Sequence, residues 1–380
     1  MTLIIRIGTC ILNIIYGLFK LCPTKNKVTF ISRQSNDPSF EFEMVRDDLL
    51  ERDPSLLVVF LCHTLDGGIK STLWDKIKYC FHMLTQMYHI ATSKVVILDT
   101  YCMVVSLLKH KKSLKVIQMW HSIGTMKKFG YTALDTEEGS SSKLAHAMHM
   151  HAGYDYIFGA GEGYKDHLAA GFNYPQEKII TMPLPRVDLL VNDKAYETSV
   201  RERIFKAYPS LREKPVILYC PTFRKNDESE FAEAIRKLIK AVDREKFNLV
   251  IKLHPLSSLS HEEGVIYADE FSSFEMIFAA DYMISDYSCI IYEAALRDVP
   301  LYFYNFDMYL YTEGRGLALD YEKELPGPIS GEPLELVKAI EEDLKDHIYD
   351  REALRQFAVK YVEPTAHATK DIGDFIAQFL

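Results

Sequence analysis

The stretch QMWHSIGTMKKFG, Gln118–Gly130, places His121 after strand-forming residues and follows it with small residues, glycines and the paired lysines Lys127 and Lys128. A strand end with a surface turn would account for this, and so would a site that handles phosphate. Other stretches bear on the choice. YCPTFRKND, 219–227, offers Pro221, the Thr222 hydroxyl and Arg224, whose forked donors suit phosphate. IKLHP, 251–255, carries Lys252 and His254. In MISDYSCIIYEAALRDVP, 283–300, Asp286 and Ser288 read as caps of the helix that follows, and a helix N-terminus favours anions. Cys289 and Glu293 lie one turn apart on that helix, where a carboxylate could accept hydrogen bonds from ribose hydroxyls. YTEGRGLALDYEKELPGP, 311–328, holds Arg315 between two glycines. Each stretch also reads as an ordinary turn, cap or surface loop; it is their recurrence that favours a phosphate site.

These residues need elements to hold them. Apolar runs rich in β-branched and aromatic residues recur at 27–32, 56–62, 94–99, 115–120 and 154–160, then at 215–220, 247–254, 264–268, 281–285 and 299–304. Helix-length segments separate them. Continuous apolar strands alternating with helices specify parallel sheets covered on both faces, here two doubly wound α/β domains in series. Ligands of such sheets bind beyond the carboxyl ends of the strands, and the polar residues above follow strands. The segment 186–214 is charged and strand-free. The expected division is an N-terminal helix over 1–24, one α/β domain over 25–190 and a second over 191–380.

A net charge of −9 argues against bulk nucleic-acid binding. The seven cysteines are scattered, with no CxxC spacing, and read as reduced thiols of a cytoplasmic protein. His146, His149 and His151 cluster without a matching carboxylate or cysteine set, so no metal site is expected. FGAGEGY, 158–164, is one residue off a dinucleotide fingerprint and reads as a tight turn between strand and helix. Residues 1–36 hold five basic side chains, Arg6, Lys20, Lys25, Lys27 and Arg33, and no acidic one. The thirteen uncharged residues between Arg6 and Lys20 fall short of the roughly 20 that span a bilayer. A helix lying in an anionic membrane interface, a helix packed on the protein's own core and a signal peptide all fit; the last lacks a small-x-small cleavage site.

In order, QMWHSIGTMKKFG, PLPRVD, YCPTFRKN, IKLHP, DYMISDYSCIIYEAAL and RGLALDYEKELPGP resemble the CDP-glycerol glycerophosphotransferase family of teichoic acid synthesis over about residues 25–365, with a primase-like form of the first motif. The resemblance implies a glycosyltransferase-B-like fold with the active site in the cleft between two Rossmann-like domains, and peripheral attachment to the cytoplasmic face of a bacterial membrane. The implied reaction moves glycerol phosphate or ribitol phosphate from CDP-glycerol or CDP-ribitol to an undecaprenyl-diphosphate-linked saccharide, with release of CMP. It implies His121 as general base, with His254 also catalytic. It assigns Arg186, Pro221, Thr222, Arg224, Lys252, Ser288, Cys289, Glu293 and Arg315 to the CDP-polyol, and leaves Lys127 and Lys128 for the acceptor or the membrane. Ser122, Cys289 and Glu293 depart from the residues the family places there. No DxD or Walker pattern is present, so neither metal nor cofactor is expected. The alternative is a glycosyltransferase-B enzyme with a sugar-nucleotide donor.

Overall fold

The computed structural model describes residues 2–64, 72–137, 139–224, 228–254, 257–314 and 316–380. The chain forms two compact units: Met1–Ser122 with Phe129–Arg186 and His367–Leu380, and Ile123–Lys128 with Val187–Ala366.

The first unit holds β1 (Lys27–Ser32), β2 (Leu57–Cys62), β3 (Val95–Leu98), β4 (Lys115–Gln118), β5 (Tyr156–Gly159) and β6 (Ile179–Thr181), all parallel, in the order β2-β1-β3-β4-β5-β6. Every residue of β1 is buried, as its apolar run requires of a strand covered on both faces. The second unit holds β7 (Val216–Cys220), β8 (Asn248–Ile251), β9 (Tyr282–Ser285), β10 (Leu301–Tyr304) and β11 (Ile329–Ser330), again parallel, in the order β11-β10-β9-β7-β8. Ile217, Tyr219, Leu238, Ile284, Tyr302 and Ile340 belong to its core. Because β9 and β8 flank β7, three strands that the sequence marked with polar ends lie side by side and point the same way.

The expected strand at 264–268 is reduced to a single bridge between Ile266 and Val250. Gly264 (φ 76°) and Ala268 (φ 45°) take left-handed backbone there and interrupt the extended chain. β6 and β11, of three and two residues, gave no periodic signal.

The linear division at residue 190 also differs from the units found. The last helix, Ala368–Ala377, packs in the first unit against the helix Phe40–Arg52: Phe375 meets Tyr156 and Phe158, and Arg52 pairs with Asp374. Ile372 and Ile376 are fully buried by this docking. A helix carries no mark in its sequence of which sheet it returns to.

The first helix, Thr2–Phe19, has two faces. On one, Tyr16 is buried with its hydroxyl 2.9 Å from His110 Nδ1, and the Asn13 amide donates to the Leu107 carbonyl at 3.1 Å. On the other, Ile7, Ile11, Ile14 and Leu18, with Leu21 just beyond the helix, form an exposed stripe at helical spacing. Leu73, Trp74, Ile77 and Phe81 form a second exposed stripe on the helix Leu73–Thr92, which packs against the first. No helix among the described residues is long and apolar enough to cross a membrane. Lys27, counted with the basic N-terminal residues, is instead buried in β1, where its ammonium donates to Thr92 Oγ1 at 2.6 Å and burial lowers its pKa to about 8.

Ile376→Ala should cost about 2–5 kcal/mol by leaving a cavity in the first unit. Chemical denaturation measures the loss, and hydrogen exchange should show it first in the helix 40–52. A variant as stable as the parent would mean that the last helix does not belong to that core.

Candidate active site

In the first unit, β4 ends at Gln118, and Trp120 takes φ 67° before His121, a backbone turn unusual for a bulky residue. The Gln118 side chain secures the turn by accepting from the Trp120 amide at 3.0 Å and donating to the Thr100 carbonyl at 3.2 Å. The Trp120 ring packs on Phe129 and Phe172. His121 Nδ1 lies 2.9 Å from the Asp99 carbonyl at the end of β3. A carbonyl only accepts, so Nδ1 carries the proton and the neutral ring keeps its lone pair on Nε2. His121 retains an exposed edge, yet the protein crowds the rest of the ring. That desolvation lowers its pKa below the usual histidine value; the Arg186 charge acts in the same direction, while the bond to Asp99 and the charge of Glu41 oppose it. Burial also pushes the Asp99 carboxyl up to about 6.

Arg186, expected at the donor, is committed elsewhere. Its Nε donates to Glu41 Oε1 at 2.5 Å, its Nη2 reaches the same carboxylate, and Nη2 also lies 3.4 Å from the His121 carbonyl. Glu41 is a buried residue in the first turn of the helix 40–52, which Ser39 caps. The arginine thus joins that helix to the backbone of His121. Sequence reasoning missed Glu41, because an acidic residue in a first helical turn looks like dipole compensation.

In the second unit, Arg224 is likewise internal rather than phosphate-facing. It is 7% exposed, binds Asp307 through Nε at 2.6 Å and Nη2 at 3.0 Å, and places Nη1 2.9 Å from Asp286 Oδ2 and 2.7 Å from the Thr222 carbonyl. Burial disfavours its charge, but the two aspartates more than offset this and raise its pKa. Asp286, expected as a helix cap, is fully buried and accepts from the Thr222 amide at 2.9 Å and the Tyr287 amide at 2.5 Å. The helix Ile290–Leu296 begins after Cys289 without a side-chain cap.

Around this knot the other expected residues fall into place unevenly. Pro221 and Thr222 follow β7, buried against Asp286. Ser288 and Cys289 are half-buried before the helix, and Glu293 is buried in its first turn. Lys252, after β8, is buried and donates to the Ala268 carbonyl at 2.7 Å, so its ammonium serves a turn; burial lowers its pKa. His254 is exposed at its surface with its ring 5.3 Å from that of Phe223, and partial desolvation of the ring together with the Lys127 charge lowers its pKa. Lys127, expected at the acceptor or the membrane, belongs to this unit: its Nζ is 3.4 Å from Thr222 Oγ1 and 5.2 Å from the centroid of the Tyr311 ring. Lys128 is exposed. Arg315 lies outside the described residues.

Two parallel sheets with the candidate site residues at the strand ends define a doubly wound α/β protein, and comparison agrees. The chain matches the structure of the wall teichoic acid polymerase TagF with a TM-score of 0.74 over 99% of this chain and 97% of that one, at 20% identity. This establishes a glycosyltransferase-B-like fold.

The family model described as CDP-glycerol:poly(glycerophosphate) glycerophosphotransferase matches residues 15–376, and the chain belongs to that family. It is 29% identical to a teichoic acid ribitol-phosphate primase of Bacillus spizizenii, over 100% of this chain and 98% of the relative. It is 30% identical to a teichoic acid poly(ribitol-phosphate) polymerase of the same organism, covering 89% of this chain but only 54% of that longer protein.

Asp286→Ala should destabilise the second unit by about 3–5 kcal/mol, because it removes one partner of a buried ion pair and strands the Thr222 amide. Urea unfolding tests this; a loss under about 1 kcal/mol would show that Asp307 alone holds Arg224.

Proposed function

We propose that this protein transfers a polyol phosphate from a CDP-polyol to a hydroxyl of a lipid-linked acceptor in teichoic acid synthesis. The family match across nearly the whole chain supports this, and the observation that carries the chemistry is His121, whose Nδ1 is held by a carbonyl so that Nε2 is the basic atom. The acceptor oxygen bonds to the β-phosphorus, and its proton passes to Nε2. The bond from that phosphorus to the bridging oxygen breaks, and CMP leaves with the electron pair. Positioning and charge stabilisation supply most of the catalysis in such a transfer. His254, Thr222, Ser288 and Arg315 bind the donor. Of the two polyols, ribitol is favoured by the end-to-end relative, and that relative's name also favours priming over polymerisation. CMP release from CDP-ribitol, CDP-glycerol and UDP-sugars, with product length by mass spectrometry, tests the donor and the number of transfers. Release of UDP with no release of CMP would replace this function with that of a sugar-nucleotide glycosyltransferase.

His121→Ala should lower turnover by about 100- to 10,000-fold with an unchanged melting curve. The wild-type base is active when unprotonated and its pKa is depressed. kcat/KM should therefore be level above about pH 6.5 and fall as pH drops below it. An acid limb centred above pH 7 would remove His121 as the base.

The acceptor's lipid places the enzyme, in this proposal, peripherally on the cytoplasmic face of the membrane. The exposed stripes 7–21 and 73–81 support this: they form apolar faces on two packed helices, with Arg6, Lys20, Lys25, Lys76, Lys78 and Lys109–Lys112 nearby in sequence or contact. Ile14→Glu/Leu18→Glu should release the protein from anionic vesicles without unfolding it, since both residues lie on the face opposite Tyr16. Trp74→Ser/Phe81→Ser should weaken binding as well. Raised salt should reduce wild-type binding only in part, because apolar burial is insensitive to screening. Full cosedimentation of both double variants would place the membrane contact elsewhere.

A further inference from the structure

We propose that Lys127 is a binding residue for the donor diphosphate, delivered to the strand ends of the second unit by the strap Ile123–Lys128. This rests on the function proposed above and assigns a group within it. Among the described residues, Arg224 is bound by Asp286 and Asp307, and the Lys252 ammonium donates to the Ala268 carbonyl. The Lys127 ammonium lies beside the Thr222 hydroxyl, at the end of β7, and over the face of Tyr311. Its charge also acts on His254, after β8. An ammonium, an imidazole and a hydroxyl thus converge at the carboxyl ends of adjacent parallel strands, where ligands of this fold class bind. Two groups able to carry positive charge disfavour one another's ionisation when close. A diphosphate carrying two negative charges would remove that penalty.

The strap is built to hold this position. Tyr292 donates to the Thr125 carbonyl at 3.3 Å, the Ala318 amide to the Met126 carbonyl at 2.8 Å, and the Lys128 amide to the Gly316 carbonyl at 3.1 Å. Gly124 lies so tightly on the Tyr292 ring that a Cβ would stand 2.0 Å from it, so only glycine fits this close approach. The same backbone leaves the Lys128 side chain exposed. Adjacent lysines that look alike in sequence therefore have different surroundings, and Lys128 provides an internal control.

The test uses the full chain with CDP, CMP and cytidine as probes, read by calorimetry. Wild type should bind CDP more tightly than cytidine. Lys127→Gln should weaken CDP by about 10- to 100-fold, the range for losing a charged hydrogen bond, and leave cytidine unchanged. Lys128→Gln should bind CDP as wild type does. Lysine acetylation of the wild-type protein, mapped by mass spectrometry, gives a readout that needs no variant: CDP but not cytidine should protect Lys127, with Lys128 equally reactive throughout. If wild type fails to bind CDP, the proposed function itself falls. If wild type binds CDP while Lys127→Gln binds it within threefold, or Lys127 acetylates equally with and without CDP, the assignment of Lys127 is overturned and the function stands.

Discussion

The second unit depends on one buried cation. Arg224 is held by Asp286 and Asp307, which follow β9 and β10, while Arg224 itself follows β7. Removing a guanidinium and two carboxylates from water is costly, and the cost is recovered only when the hydrogen bonds have good geometry. That requirement fixes the ends of three parallel strands relative to one another. Asp286 also takes the Thr222 and Tyr287 amides, and Tyr287 donates to Asp307 at 3.2 Å and stacks on Tyr311 at 3.9 Å. The polar crown at the strand ends therefore stands on a rigid ionic base. The residues with the strongest charge are the framework, and the less conspicuous ones, Thr222, Lys127 and His254, line the crown.

The first unit uses the same device on a smaller scale. Arg186 neutralises the buried Glu41 and reaches the His121 carbonyl, while Asp99 holds the imidazole by its own carbonyl. The backbone and the ring of His121 are thus held separately. Fixing the tautomer beforehand is the arrangement that the base role proposed for His121 would need. The two units share a logic in which an arginine paired with a buried carboxylate positions other groups.

The strands were readable because a parallel strand covered on both faces needs an unbroken apolar run, and KVTFIS, PVILYC and DYMIS supply one. His121, Thr222 and Lys252 could be placed at strand ends because each lies within a few residues of the strand's last residue. The short strands β6 and β11 and the false strand at 264–268 mark the limit: two or three residues carry no period, and left-handed backbone at Gly264 and Ala268 is a local choice that apolar content does not report.

By itself, the sequence determined the two parallel sheets, the positions of the polar strand ends and an apolar N-terminal stretch flanked by basic residues, since all of these follow from local pattern and residue type. Only the tertiary structure decided which charges are paired inside the protein. Arg186 and Arg224 both look in the sequence like cations available to a phosphate, and their partners Glu41, Asp286 and Asp307 come from distant parts of the chain. It also decided that the last helix returns to the first unit and that a six-residue strap from the midst of the first unit's chain belongs to the second. Such pairings are made by folding, because a buried charge takes its partner from whatever the packed chain brings within hydrogen-bonding distance.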